Sequence, residues 1–246
     1  MIANTSEVST YDEIARNWAE LKRRPKPLRI RDAADELGLS EGHLVCAAVA
    51  RPDLHPEFQA RLLSATAPDI FPRLPQLGRV MALTRNHAVV SEIHGNYGEP
   101  QLSKAGGLVH NGAIDLRMSF SHWHYAFAVE MKKGSGSLKG LQFFDSDGTA
   151  VHKIYLTADS NEDAWENLLA DFAAQNEAPR DDAGEHTAGL PVFGEPIARE
   201  ECRGDGVADP ASVQEAWAAM RNVHQFAGML KRMDLRRLDA LHATGS

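Results

Sequence analysis

The sequence predicts an α+β fold: N-terminal helices, one antiparallel β-sheet with a covering helix, then a linker and a C-terminal helical hairpin. Three observations predict it. Apolar residues recur at helical spacing near both ends of the chain, and they alternate with period two from Leu77 to Thr157. A stretch rich in Pro, Gly, Asp and Glu, without periodicity, separates the strands from the last helices. The expected division is an α+β unit over 1–175, a mobile linker over 176–208, and a helical segment over 209–246.

Each element has a local reason. Residues 10–24 put Tyr11, Ile14, Trp18 and Leu21 on one helical face. The two prolines of KRRPKPLRIR stop that helix. RDAADELGLSEGHLVCAAV then reads as two short helices broken at Gly38, with Ser40 as N-cap of the second. A third helical pattern is expected from Pro56 to Thr66. GRVMALT, HAVVSEIHG, AIDLRMSF, YAFAVEMK, GLQFFD and AVHKIYLT follow as strands, paired in sequence order, with DSDG as a tight turn before the last. SNEDAWENLLADFAAQ is an amphipathic helix that starts at Ser160 or Asn161.

After the linker, Asp209 and Pro210 open one long helix that is expected to run to about Met233. LRRLDALHA forms a second, short one. Both have apolar faces with no following segment to cover them, so residues 209–246 are expected to begin a second, truncated unit.

Composition narrows the function. The chain has 26 Lys and Arg against 34 Asp and Glu, a net charge of -8, which disfavours nucleic acid or an anionic membrane as the main partner. Cys46 and Cys202 are far apart and form no metal or redox spacing, as expected for a reducing compartment. The N-terminus has no signal-peptide pattern, and no apolar run approaches the roughly 20 residues of a membrane helix. A cytoplasmic chain without membrane insertion is the expectation. No nucleophile elbow, phosphate loop, dinucleotide fingerprint or HExxH motif occurs.

Four features could carry chemistry. Val213, Trp217, Met220, His224 and Ala227 form one helical stripe, which gives His224 an apolar setting. Such a histidine can ligate iron beneath a porphyrin, although spacing alone favours a core histidine bonded to a carbonyl. Alternation in AIDLRMSF puts Asp115, Arg117 and Ser119 on one sheet face. Arg117 could there donate to an oxygen ligand on iron, or simply belong to a solvated ladder. His122 and His124 sit at i and i+2; with no third ligand apparent, they read as structural or surface groups. RDAADELGLSEGHL has the outline of a helix-turn-helix, but its second helix carries few side chains able to read bases.

Five ordered stretches, RDAADELGLSEGHLV, LPQLGRVMALTRNHAVV, GAIDLRMSFSHWHYAFAV, LQFFDSDGTAVHKIYL and QEAWAAMRNVHQFAGMLKR, together resemble the bacterial hemin-degrading and haem-transport factors. The resemblance covers most of the chain outside the linker. It implies a protein of two similar halves, of which the second sheet has no counterpart here. It also implies that haem b (hemin) is ligand or substrate, that His224 is the axial iron ligand, that Arg117 lies on the opposite face of haem, and that Arg237 contacts a propionate. A haem ABC importer and a haem oxygenase are the partners it implies. Carriage of haem for iron acquisition and oxidative degradation of haem both remain open at this point. A DNA-binding module is the minor alternative from outside the family.

Overall fold

The computed structural model describes residues 5–26, 28–86, 89–134, 136–172, 189–194, 209–221 and 225–244. They belong to two compact units, Met1–Pro196 and Ile197–Ser246.

The first unit opens with three helices: α1 (Thr5–Lys22), α2 (Ile30–Leu37) and α3 (Glu41–Ala50). The four residues expected on one face of α1, Tyr11, Ile14, Trp18 and Leu21, are all buried. Gly38 ends α2 at φ 69°, and Leu39 donates its N–H back to the Ala34 carbonyl at 2.9 Å. Ser40 then caps α3, its N–H donating to His43 Nδ1 at 3.3 Å, so histidine stands where a capping box usually has glutamate. Leu44, Val45, Cys46 and Ala47 of α3 have no exposed surface. That burial removes the DNA-binding alternative: the helix that would enter a groove lies inside the core.

The region expected to be a third helix is instead β1 (Phe58–Leu62), in which buried Phe58 and half-buried Ala60 and Leu62 alternate with exposed Gln59 and Arg61. Phe58 packs edge-on against Trp18 at 5.6 Å, and the whole strand pairs antiparallel with residues 127–131. The short α4 (Ala67–Ile70) and a 3-10 turn (Phe71–Leu77) follow. Then come β2 (Gly78–Arg85), β3 (Val90–Asn96), β4 (Gln101–Leu102), β5 (Gly106–Asn111) and β6 (Ile114–Ser119). The unit is completed by β7 (Tyr125–Lys133), β8 (Gly136–Phe144), β9 (Ala150–Ser160) and α5 (Glu162–Asp171). Asn161 caps α5 by accepting from the Ala164 N–H at 3.0 Å.

The strands form two antiparallel sheets, not one. A six-stranded sheet has the order β1-β7-β8-β9-β2-β3, and a three-stranded sheet has the order β4-β5-β6. Pairing is therefore not simply sequential, since β1 joins β7 and β2 joins β9. The large sheet is covered on both faces. Phe127, Val129, Phe144 and Tyr155 pack under α1–α3. Leu141, Phe143, Ile154 and Leu156 face α5, the 3-10 turn and the apolar side of the small sheet. Burial of such side chains stabilises by about 1.5–3 kcal/mol each.

Cys46 lies within the helical layer with none of its surface exposed, and burial raises its thiol pKa far above the ordinary range. Of the stretch expected as a linker, the described part, Gly189–Gly194, is docked. Tyr11 donates to the Pro191 carbonyl at 2.5 Å, and the Gly194 N–H donates to the Ser146 carbonyl at 3.0 Å. The remaining positions of that stretch lie outside the described residues.

The second unit contains α6 (Pro210–Ala218), α7 (Gln225–Arg232) and α8 (Arg237–Thr244). The long helix expected over 209–233 is therefore two helices, and the expected hairpin becomes a three-helix arrangement. Asp209 caps α6, as expected, accepting from the Ser212 N–H at 3.1 Å. The chain leaves helical geometry at Ala219–Arg221, where the Arg221 N–H takes the side-chain oxygen of Gln225 at 2.6 Å in place of an intrahelical carbonyl. Val213, Met229 and Ala240, one residue from each helix, form the buried centre of this unit. Trp217 of α6 meets Phe226 of α7 at 4.8 Å.

Candidate functional site

In the first unit the candidate site is the uncovered face of the small sheet. β6 alternates as expected: Ile114 and Met118 are buried, whereas Asp115, Arg117 and Ser119 are exposed. Arg117 donates from one terminal nitrogen to Asp115 Oδ1 at 3.1 Å, and its side chain keeps 56% of its surface exposed. The other Asp115 oxygen lies 3.6 Å from His110 Nδ1, directly across the pairing with β5. A guanidinium carries five N–H donors, so one carboxylate leaves most of them open to a ligand. Asp115 thus orients Arg117 without consuming it.

The register depends on close backbone approach at Gly106, where an added Cβ would sit 2.1 Å from the Met118 carbonyl. Gly106 lies opposite Ser119, two residues beyond Arg117, so the position of the arginine rests on that glycine.

Next to β6, a 3-10 turn (Phe120–His122) leads to Trp123, which is buried between Phe71 and Phe143 at 5.5 and 5.2 Å. This anchor holds the histidines on either side of it at the surface. His122 Nδ1 lies 2.8 Å from Asp145 Oδ2, and His124 Nδ1 lies 3.1 Å from Asp145 Oδ1. Burial favours the neutral acid at Asp145. The Ser146 N–H and the two imidazoles outweigh it and hold the carboxyl below its ordinary range. The two histidines thus share one carboxylate and hold the DSDG turn, as a structural role predicts. Asp145 escaped the sequence reading; its only signal was its place at the head of that turn. Among the described residues, no group of three or more His, Cys, Asp or Glu is arranged to hold a metal ion.

His152 lies behind this face, fully enclosed. Its Nδ1 is 2.7 Å from Thr84 Oγ1 and its Nε2 is 2.6 Å from the Tyr97 hydroxyl. Burial lowers its pKa to about 3, so the ring is neutral. His55 is similar: burial first, and then the Lys22 ammonium, lower it to about 4.

In the second unit Arg237 is exposed at the first position of α8, its guanidinium carbon 6.0 Å from the Phe226 ring. His224 immediately precedes α7 in the sequence and lies outside the described residues.

A model of the family described as the haemin-degrading HemS.ChuX domain matches residues 38–172, from the end of α2 through α5. The chain belongs to this family. The match takes in the candidate face on β6, every strand of the large sheet, α3 and α5, and leaves α1 and α2 outside it. The hemin transport protein HmuS of Yersinia pestis is 35% identical over 216 residues, 87% of this chain and 57% of that protein. Among solved structures, holo-PhuS, a heme-binding protein from Pseudomonas aeruginosa, has a TM-score of 0.75 at 33% identity, covering 96% of this chain and 64% of that one. The Escherichia coli O157:H7 heme degrading enzyme ChuS has a TM-score of 0.70 at 27% identity, covering 95% and 62%. This chain therefore spans less than two thirds of the length of each of these relatives. No helix among the described residues is long and apolar enough to cross a membrane.

Proposed function

We propose that this chain binds haem and carries it during bacterial haem uptake, in the service of iron acquisition. The likeness that carries this reading is to a heme-binding protein, at 33% identity over 96% of the chain. In this reading His224 is the axial iron ligand, because neutral imidazole donates to iron while an apolar stripe covers porphyrin. Arg117 serves the opposite face, and Arg237 contacts a propionate. The exposure of Arg117, and its single carboxylate partner, fit a donor that keeps hydrogen bonds in reserve. Arg237 is likewise exposed on its helix. The protein would work in the cytoplasm, receiving haem from an ABC importer and passing it to an oxygenase.

A second reading is favoured by the likeness to the heme degrading enzyme ChuS. In it the same residues hold haem as substrate for oxidative cleavage, and no separate oxygenase is needed.

Hemin titration tests the shared core of both. The wild-type chain should give a Soret band whose maximum shifts in His224→Ala, with binding weakened by about tenfold or more. An unchanged spectrum and affinity would mean that another group binds the iron. Loss of the band on adding a reductant and oxygen separates enzyme from carrier.

A further inference from the structure

A second site, unrelated to Arg117, lies on the helix-covered face of the large sheet. There a cleft of about 580 Å³ opens between the start of α2 and strands β2, β3 and β9. Its rim is basic: Arg29 and Arg31 come from the start of α2, and Arg85 from the last position of β2. This runs against a chain of net charge -8. Lys153 also lines the cleft, but it is buried with Glu41 as an ion pair and its charge is balanced. Glu92 is the other acidic lining residue.

Two of the three arginines leave donors to spare. Arg85 Nε is buried without a hydrogen-bond partner among the described residues. Folded proteins avoid such unmet donors, and a ligand oxygen is one way to satisfy this one. Arg29 stands at the N-cap of α2 without capping it through its side chain. Arg31 is more committed, donating to the Asn86 carbonyl at 2.9 Å and lying 3.8 Å from Asp35. The remaining lining is apolar: Ile30, Leu83, Val90 and the ring of Tyr155.

We infer that this cleft binds an organic anion with an apolar body and a carboxylate head. Arg85 and Arg29 take the head, since a guanidinium matches a carboxylate in shape and charge. Ile30, Leu83 and Val90 take the body. A bare inorganic anion would leave that apolar lining unused, and an uncharged amphiphile could accept one bond from Arg85 without balancing its charge. Arg117 stands apart from this cleft, on the small sheet that packs against the opposite face of the large one.

Isothermal titration of octanoate into the full chain provides the test. One octanoate should bind per chain, about tenfold or more weaker in Arg85→Gln and several-fold weaker in Arg29→Gln. 1-Octanol and inorganic phosphate should each bind about tenfold or more weaker than octanoate. Because Arg29 is exposed, Arg29→Gln carries the test if Arg85→Gln fails to fold. Unchanged binding in the folded variants, equal binding of octanol or phosphate, or no octanoate binding at all would overturn the inference. Hemin at saturation should leave octanoate bound; displacement would place both ligands in one site and overturn the separate cleft.

Discussion

The two sheets of the first unit differ in what their faces are used for. The six-stranded sheet is packed on both sides, with Phe127 and Val129 against the helices and Phe143 and Ile154 against the other layer. The three-stranded sheet buries Val109, Ile114 and Met118 and leaves Asp115, Arg117 and Ser119 in solvent. Antiparallel sheets tolerate one wet face, because their alternation can satisfy core and water at once. The small sheet's outer face therefore adds little to cohesion, which the two covered faces of the large sheet supply. A change at Arg117 should spare the fold, and in the proposed reading of this face it should alter haem binding.

The sharpest way to break this comparison is to weaken the large sheet. Phe143→Ala removes a ring packed at 5.8 Å from Phe71 and 5.2 Å from Trp123, and should cost about 3–5 kcal/mol in denaturant unfolding. A loss below about 1 kcal/mol would show that cohesion lies elsewhere.

Acid should act next, again on the covered layers. His152 and His55 are held neutral in the fold with pKa values near 3 and 4, whereas in the unfolded chain each takes a proton near 6.5. Below about pH 6.5 the unfolded state binds more protons, so stability is intact above that pH and falls beneath it. The slope should approach about 1.4 kcal/mol per pH unit for each histidine. Urea midpoints measured from pH 7 to 4.5 check this, and His152→Gln should flatten the curve. A pH-independent midpoint in the wild type would contradict the burial of both rings.

The smallest expected effect on stability is at Arg117. Arg117→Ala removes a largely exposed ion pair, so unfolding should change by no more than about 0.5 kcal/mol. The haem spectrum should nevertheless change, if Arg117 serves the face opposite His224. A large loss of stability with an unaltered spectrum would reverse the roles assigned to the two sheets.

What the sequence made legible was local. Gly38, Ser40, Asn161 and Asp209 mark helix ends through bonds to residues at most five positions away, so their residue types suffice. β1 is not legible in the sequence, because five residues of alternation cannot outweigh the helical spacing of their neighbours. Its strand character comes from pairing with Phe127–Met131, far along the chain. The division into two sheets escaped for the same reason, since it depends on β2 choosing β9 and β1 choosing β7. The stripe holds for Val213 and Trp217 within α6, and Met220 lies past the end of that helix. Apolar spacing does not report where a chain leaves helical geometry, and here it does so after Ala218. On β6, alternation alone placed Arg117 on the exposed face. His224, the proposed iron ligand, shows the opposite limit: family resemblance singles it out, where spacing alone points to the core.

Cys46 turns the helical layer into its own reporter. Its sulfur has no contact with solvent, and burial keeps the thiol protonated. Alkylating reagents and peroxides attack the exposed thiolate. In the native protein Cys46 is therefore chemically silent until α3 lifts away from α1 and the sheet. The rate at which Cys46 becomes modified then measures how often that layer opens, a breathing motion that sedimentation or spectra of the closed protein would never register.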